Sequence, residues 1–182
     1  MVPMFHSGHF SIQVWASIAY NLKTPLFVLP LAPRKKWQGL ANQWDPAKNL
    51  TAVRYCDWVI DGPLWDAITA VSAYPDSLLV VEDGSSCHQA AICKQWQAKY
   101  HIKMQEHLPA SPDLNPIENI WYVFKNLLGK HLPVPKTWDE LARAAEEVWN
   151  TQIMLEHIKP VIKSMEHHVE QVLTKHGGLL KY

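Results

Sequence analysis

The sequence predicts an α/β fold, with a hairpin and a buried strand first and helices last. Three features carry this expectation. Apolar residues alternate from Phe10 to Tyr20, Leu78-Leu79-Val80-Val81 forms a continuous apolar run, and apolar residues recur at helical spacing from Asn115 onward. At 182 residues the chain fits one domain and is long enough to bury a sizeable core.

The first strand places Phe10, Ile12, Val14, Ala16, Ile18 and Tyr20 on one face, with Ser11, Gln13 and Ser17 on the other. A turn over Asn21 to Thr24 returns the chain along Pro25 to Leu29, giving a hairpin. Residues 30 to 47 contain Pro30, Pro33, Gly39 and Pro46 and read as a loop. Ala52 to Ile60 and Pro63 to Val71 read as helices. Leu78 to Val81, apolar without alternation, is expected to be a central strand covered on both faces. Ser86 caps an expected helix from Cys87 to Tyr100, and a short strand follows around Ile102 to Met104. Asn115 at N-cap, Pro116 at N1 and Glu118 at N3 open a helix whose stripe is Ile117, Ile120, Trp121, Phe124 and Leu128. Thr137-Trp138-Asp139-Glu140 is a capping box for the next helix, to about Trp149. A last helical region runs to Lys175, expected to break at Pro160 and stop at Gly177-Gly178.

Seventeen basic and seventeen acidic residues leave a formal net charge of +0, so whole-chain charge gives no sign of nucleic-acid binding, although a local patch is compatible with it. Nine tryptophans predict an unusual amount of stacked, buried aromatic surface. Cys56, Cys87 and Cys93 are odd in number and unpaired in pattern, as in a reduced, intracellular protein, and are too sparse for a zinc site. Residues 1 to 22 contain no Lys, Arg, Asp or Glu, but they lack a basic leading region and a sustained apolar run. Neither a signal peptide nor a membrane span is expected there.

Chemistry concentrates in two carboxylates. Asp83 ends the apolar run, and Glu118 stands in the first turn of the best-marked helix, with 34 residues between them. A strand tip and a helix start are rigid supports on which two acids can converge on a divalent metal. Taken singly, Asp83-Gly84 is an ordinary turn and Glu118 an ordinary capping carboxylate. Their conjunction with Ser111-Pro112-Asp113-Leu114-Asn115-Pro116-Ile117-Glu118-Asn119-Ile120-Trp121 sets them apart from such single residues.

That string, with Glu82-Asp83-Gly84-Ser85-Ser86-Cys87-His88 upstream, resembles the catalytic domain of the mariner superfamily of DNA transposases. The likeness is strong over residues 78 to 128 and extends to the hairpin and the tail. It implies an RNase H-like mixed sheet flanked by helices, a single catalytic domain over residues 1 to 182 with a helical tail from 137, and metal-dependent DNA cleavage and strand transfer. It further implies that Asp83 and Glu118 are the second and third catalytic acids and ligands to Mg²⁺ or Mn²⁺. Partners by resemblance are transposon-end DNA and a second copy of the chain, in the nucleus. Arg34, Lys35, Lys36, Lys125 and Lys130 are candidate phosphate contacts, set against the plainer reading of a solvated charged surface.

The chain departs from the family in one respect. The first acid sits on a strand just before the hairpin, and nothing from Met1 to His9 is Asp or Glu or forms an apolar run. Asp45, Asp57, Asp61 and Asp66 come later and are poorly placed to substitute. The expectation is a domain shortened at its amino end, lacking its first strand, with a gap or a rearranged pairing in the sheet. Such a domain should bind metal weakly and fail to cleave. The competing reading is a non-catalytic DNA-binding or protein-interaction remnant of a transposon.

Overall fold

The structure is a computed structural model and describes residues 4–7, 10–30, 50–72, 78–83, 85–105 and 114–174. Its strands are β1 (Met4–Ser7), β2 (Phe10–Trp15), β3 (Ile18–Ala19), β4 (Leu22–Lys23), β5 (Phe27–Val28), β6 (Leu79–Val80) and β7 (Lys103–Met104). Its helices are α1 (Ala52–Tyr55), α2 (Trp65–Val71), α3 (Ala91–Lys99), α4 (Ile117–Leu128), α5 (Trp138–Gln152) and α6 (Leu155–Thr174), with wide π-type turns over Cys56–Leu64 between α1 and α2.

β2 is the middle of a three-stranded antiparallel sheet and carries a core on each face. Ile12, Val14 and Ala16 pack toward α4, α5 and α6, whereas Trp15 joins Leu29, Tyr55, Val59, Ile60 and Cys93 on the other side. Helices on both faces explain why Trp15 is buried although the alternation gave that face to polar residues. The predicted long strand breaks after Trp15. Ser17 N–H donates to Thr24 Oγ1 (2.9 Å) and Thr24 N–H to the Ser17 carbonyl (3.0 Å), closing a small hairpin of β3 and β4. Its turn falls at Tyr20 and Asn21.

The expectation of no strand before Phe10 is corrected. Met4–Ser7 forms β1, antiparallel to β2, with Met4 opposite Gln13 and Ser7 opposite Phe10. The expected gap is found elsewhere. Among the described residues β6 pairs only with β7, in parallel, and the strands fall into three small sheets. Leu78 to Val81 is therefore not covered on both faces; Leu79 is 58% exposed and Val81 37%.

The helices follow their local signals with three differences. α3 begins at Ala91 rather than Cys87, because residues 86 to 90 form turns first. It ends with His101 in the left-handed region (φ 53°), Ile102 N–H bonding the Gln97 carbonyl and His101 N–H that of Ala98. This Schellman arrangement turns the chain directly into β7. α6 runs through Pro160 unbroken, since the ring removes only one early hydrogen bond, to the Glu156 carbonyl. α4 and α5 start one residue from the expected positions or on them. Thr137 Oγ accepts from Glu140 N–H (3.1 Å), while the Glu140 carboxylate reaches Lys136 N–H (2.6 Å).

The tryptophan load is partly spent in one cluster. Trp149 is fully buried, 5.1 Å from Trp121 and 5.6 Å edge-on to Phe124, and its Nε1–H donates to the Thr24 carbonyl (2.8 Å). Lys23 donates to the carbonyls of Trp149 (2.7 Å) and Ile153 (2.6 Å), capping the end of α5 with a cation that burial makes easier to deprotonate. The small hairpin, α5 and α4 are thereby tied together, and α4 carries Glu118. No described helix is long and apolar enough to cross a membrane. The loop expected over residues 30 to 47, and the Gly177-Gly178 stop, lie outside the described residues.

Candidate active site

Asp83 leaves the end of β6 in a turn that its own side chain organises. Its Oδ1 accepts from Ser85 N–H (3.2 Å) and lies 2.7 Å from His88 Nδ1. His88 is buried, so the imidazole holds the carboxylate from below rather than from solvent. This pair fixes the tautomer: Nδ1 carries the proton toward Asp83. The other ring nitrogen, Nε2, is buried without a hydrogen-bond partner among the described residues. The His88 ring lies against Tyr55, centroids 4.2 Å apart.

Tyr55 also donates its hydroxyl to Glu82 Oε1. Glu82 Oε2 is shut away from solvent with no partner among the described residues, and burial raises this carboxyl above the usual carboxylate range, against the pull of His88. Sequence reasoning gave Glu82 and Tyr55 no role. Glu82 stands beside the predicted acid, but the hydroxyl that binds it comes from a helix 27 residues earlier. No local spacing announces such a contact.

Glu118 occupies the first turn of α4, half-buried, its N–H donating to the Asn115 carbonyl (3.1 Å). Asn115 is buried, and its side-chain oxygen faces Ile117 N–H at 3.4 Å. The cap is thus shared between Asn115 and Pro116. Asp83 and Glu118 line one cleft of about 340 Å³, walled mainly by apolar residues of β2, β3 and β6. Glu82 and His88 line it too.

Two hard oxygen donors facing one cleft suit a Mg²⁺- or Mn²⁺-class ion in kind, but not in number. Among the described residues no three His, Cys, Asp or Glu side chains gather as a ligand set. The described residues therefore do not by themselves make a two-metal centre. Asp57, Asp61 and Asp66 are exposed and do not line the cleft, and Asp61 is instead bonded by the Tyr100 hydroxyl. Asp45 lies outside the described residues, as do Arg34, Lys35 and Lys36. Lys125 and Lys130 are exposed, on the last turn of α4 and just beyond it, and do not line the cleft.

The thiols serve packing. Cys56 and Cys93 are fully buried with sulfurs 3.4 Å apart, and burial pushes the Cys93 thiol up to about 12. Cys93 bonds the Cys87 carbonyl (2.9 Å), bracing the turn that carries His88.

No protein-family model matches the chain. A transposable element Tcb2 transposase of Caenorhabditis briggsae is 27% identical over 103 residues, 56% of this chain and 36% of that protein. The chain thus spans about a third of that relative's length. The catalytic domain of Mos1 mariner transposase superposes with a TM-score of 0.76 at 12% identity, covering 98% of this chain and 81% of that one. Its structure with Raltegravir and Mn gives 0.74 at 12% identity, over 98% and 82%. A Mos1 paired-end complex with the left transposon end gives 0.72 at 13% identity, over 94% and 45%. At such identities the structural likeness establishes the fold. The chain has the RNase H-like fold of the mariner transposase catalytic domain, and its sequence is similar to that of a transposase.

Proposed function

We propose that this chain is a transposase-derived endonuclease domain that engages DNA, retains two of the acids of a metal-dependent cleavage site, and does not cleave DNA by itself. One observation carries the reading: Asp83, from the end of β6, and Glu118, from the first turn of α4, line the same cleft. Two-metal phosphoryl transfer needs a donor set that positions both the attacking and the leaving oxygens. Two carboxylates fall short of that, so weak binding of a single ion is expected. When bound, the metal would supply Lewis-acid stabilisation. The chain's own part is to hold Asp83 through His88 and Ser85, and Glu118 through the capped start of α4.

The Mos1 structures with Mn, Mg or transposon ends support divalent metal and DNA as partners of the proposed function. A second copy of the chain, and work in the nucleus, belong to the same proposal. Among the described residues no three His, Cys, Asp or Glu side chains gather as a ligand set, and Glu82, the other acid lining the cleft, is bonded by Tyr55; this favours a second reading, a non-catalytic DNA-binding remnant. Calorimetric titration of the purified chain with Mn²⁺ decides between them, with Asp83→Ala and Glu118→Ala as controls. Weak binding abolished in both variants supports the retained half-site. No binding in a folded sample leaves the non-catalytic remnant. Tight two-site binding, or robust nicking lost with Asp83→Ala, would overturn the proposed inactivity.

A further inference from the structure

The cleft that holds Asp83 and Glu118 has a second chemistry along its rim. Tyr20 sits at the β3–β4 turn, 40% exposed, and lines the same cleft as the two acids. Two lysines one helical turn apart on α6 converge on its ring, Lys159 Nζ at 5.4 Å and Lys163 Nζ at 5.6 Å from the centroid. Between them Ile162 also lines the cleft. Among the described residues neither ammonium is paired with a carboxylate.

Both ammonium groups rest over the ring as cation–π contacts, while the ring and the two charges stay partly open to solvent and within reach of a ligand. The apolar body of the tyrosine gains by being covered, and the two charges gain by meeting anions. One class of ligand offers both at this scale. An unpaired nucleotide presents a flat π-face for the ring and phosphates for the ammonium groups, and such stacking needs no particular base. A paired duplex keeps its base faces inside the stack and offers only the phosphates.

We infer that Tyr20, Lys159 and Lys163 form a docking site for an unpaired DNA strand at the rim of the Asp83–Glu118 cleft. This rests on the proposed DNA function and specifies the form of DNA the cleft accepts. Tyr20 stacks on a base, and the two lysines hold the phosphates that flank it. The site is assembled from the hairpin and α6, about 140 residues apart in sequence.

The test is fluorescence anisotropy of the full chain with a labelled twelve-nucleotide single strand and the same sequence as a blunt duplex, in chelator so that no cleavage intervenes. The single strand is expected to bind about tenfold more tightly. Tyr20→Ala should weaken single-strand binding by about tenfold and leave duplex binding nearly unchanged, while Tyr20→Phe keeps the stacking ring and the affinity. Converting Lys159 and Lys163 together to Ala should flatten the dependence of log K on log salt by about 1.4, at about 0.7 per phosphate on a single strand. Tyr20 lies at a surface turn, and circular dichroism confirms that each variant is folded. If the wild-type chain binds DNA but all these variants match it, the docking site is overturned and the DNA function stands. If the wild-type chain binds neither form, the DNA function itself falls, and the site with it.

Discussion

Replacing Trp149 by Phe tests whether the aromatic cluster on α5 is what holds α4, and so Glu118, against the sheet. The substitution keeps a six-membered ring near Trp121 and Phe124 but removes the Nε1–H that bonds the Thr24 carbonyl at 2.8 Å. Thr24 is itself buried, so that carbonyl is left without its donor where water cannot easily replace it. An orphaned buried acceptor costs about 1–3 kcal/mol. The lost ring carbons add about 1.5 kcal/mol at about 0.8 kcal/mol per buried methylene-sized group. The expected destabilisation is about 3 kcal/mol, a large share of the roughly 5–15 kcal/mol by which such a domain is stable. Lys23 bonds only the backbone carbonyls of Trp149 and Ile153, so its contacts survive the change. Urea unfolding followed by far-ultraviolet circular dichroism measures the effect. With a slope of about 2–3 kcal/mol per molar, the midpoint should fall by about 1–1.5 M. Tyr122→Ala, on the same face of chemistry but 69% exposed, is the control and should move it little. A Trp149→Phe midpoint within about 0.2 M of wild type would refute the argument, because neither the hydrogen bond nor the ring packing would then matter.

Two further substitutions address the site and its supports. Glu82 carries a carboxyl raised by burial, so the folded chain keeps that proton at pH values where the unfolded chain has released it. Its contribution to stability is therefore full below the ordinary carboxylate range and is lost as pH rises from there through the raised value. Glu82→Gln, which keeps an oxygen to accept from Tyr55, should flatten this decline in a series of thermal midpoints across pH 4 to 8. Parallel pH profiles for variant and wild type would exclude Glu82 as the cause. Thr137→Ala removes the side chain that accepts from Glu140 N–H at the start of α5 and should cost about 1 kcal/mol in the same urea assay. An unchanged midpoint would mean that Lys136 N–H and the Glu140 carboxylate alone fix that end.

The site combines strong local order with no ligand set of three or more His, Cys, Asp or Glu side chains among the described residues. Asp83 is held by a backbone N–H and a buried imidazole, and the turn beneath it is braced by Cys93. Such preorganisation is what a metal-binding carboxylate requires, yet it does nothing to supply a third donor.

Local sequence determined those parts of the protein whose interactions close within a few residues. The capping box at Thr137, the start of α4 around Asn115 and Pro116, and the apolar stripe of Ile120, Trp121, Phe124 and Leu128 are short-range, and the structure has them. His88 lies five positions after Asp83, close enough for its Nδ1 to meet the Asp83 carboxylate at 2.7 Å, although the local signals read as a helix from Cys87. Sequence misjudged elements whose fate depends on a partner. Leu78 to Val81 has the composition of a central strand, but burial is conferred by neighbouring elements, and among the described residues β6 has one strand beside it. Met4–Ser7 lacks an apolar run, yet β2 offers an edge to pair with, and backbone hydrogen bonds do not require apolar side chains. Pro160 looks like a helix breaker until the packing of Ile158, Val161 and Ile162 against the core carries α6 through it. Tertiary structure alone decided that Tyr55 would reach Glu82 and that Lys159 and Lys163 would meet over Tyr20. Contacts of that range are set by how helices pack on both faces of β2, a property of three-dimensional packing that no window of sequence contains.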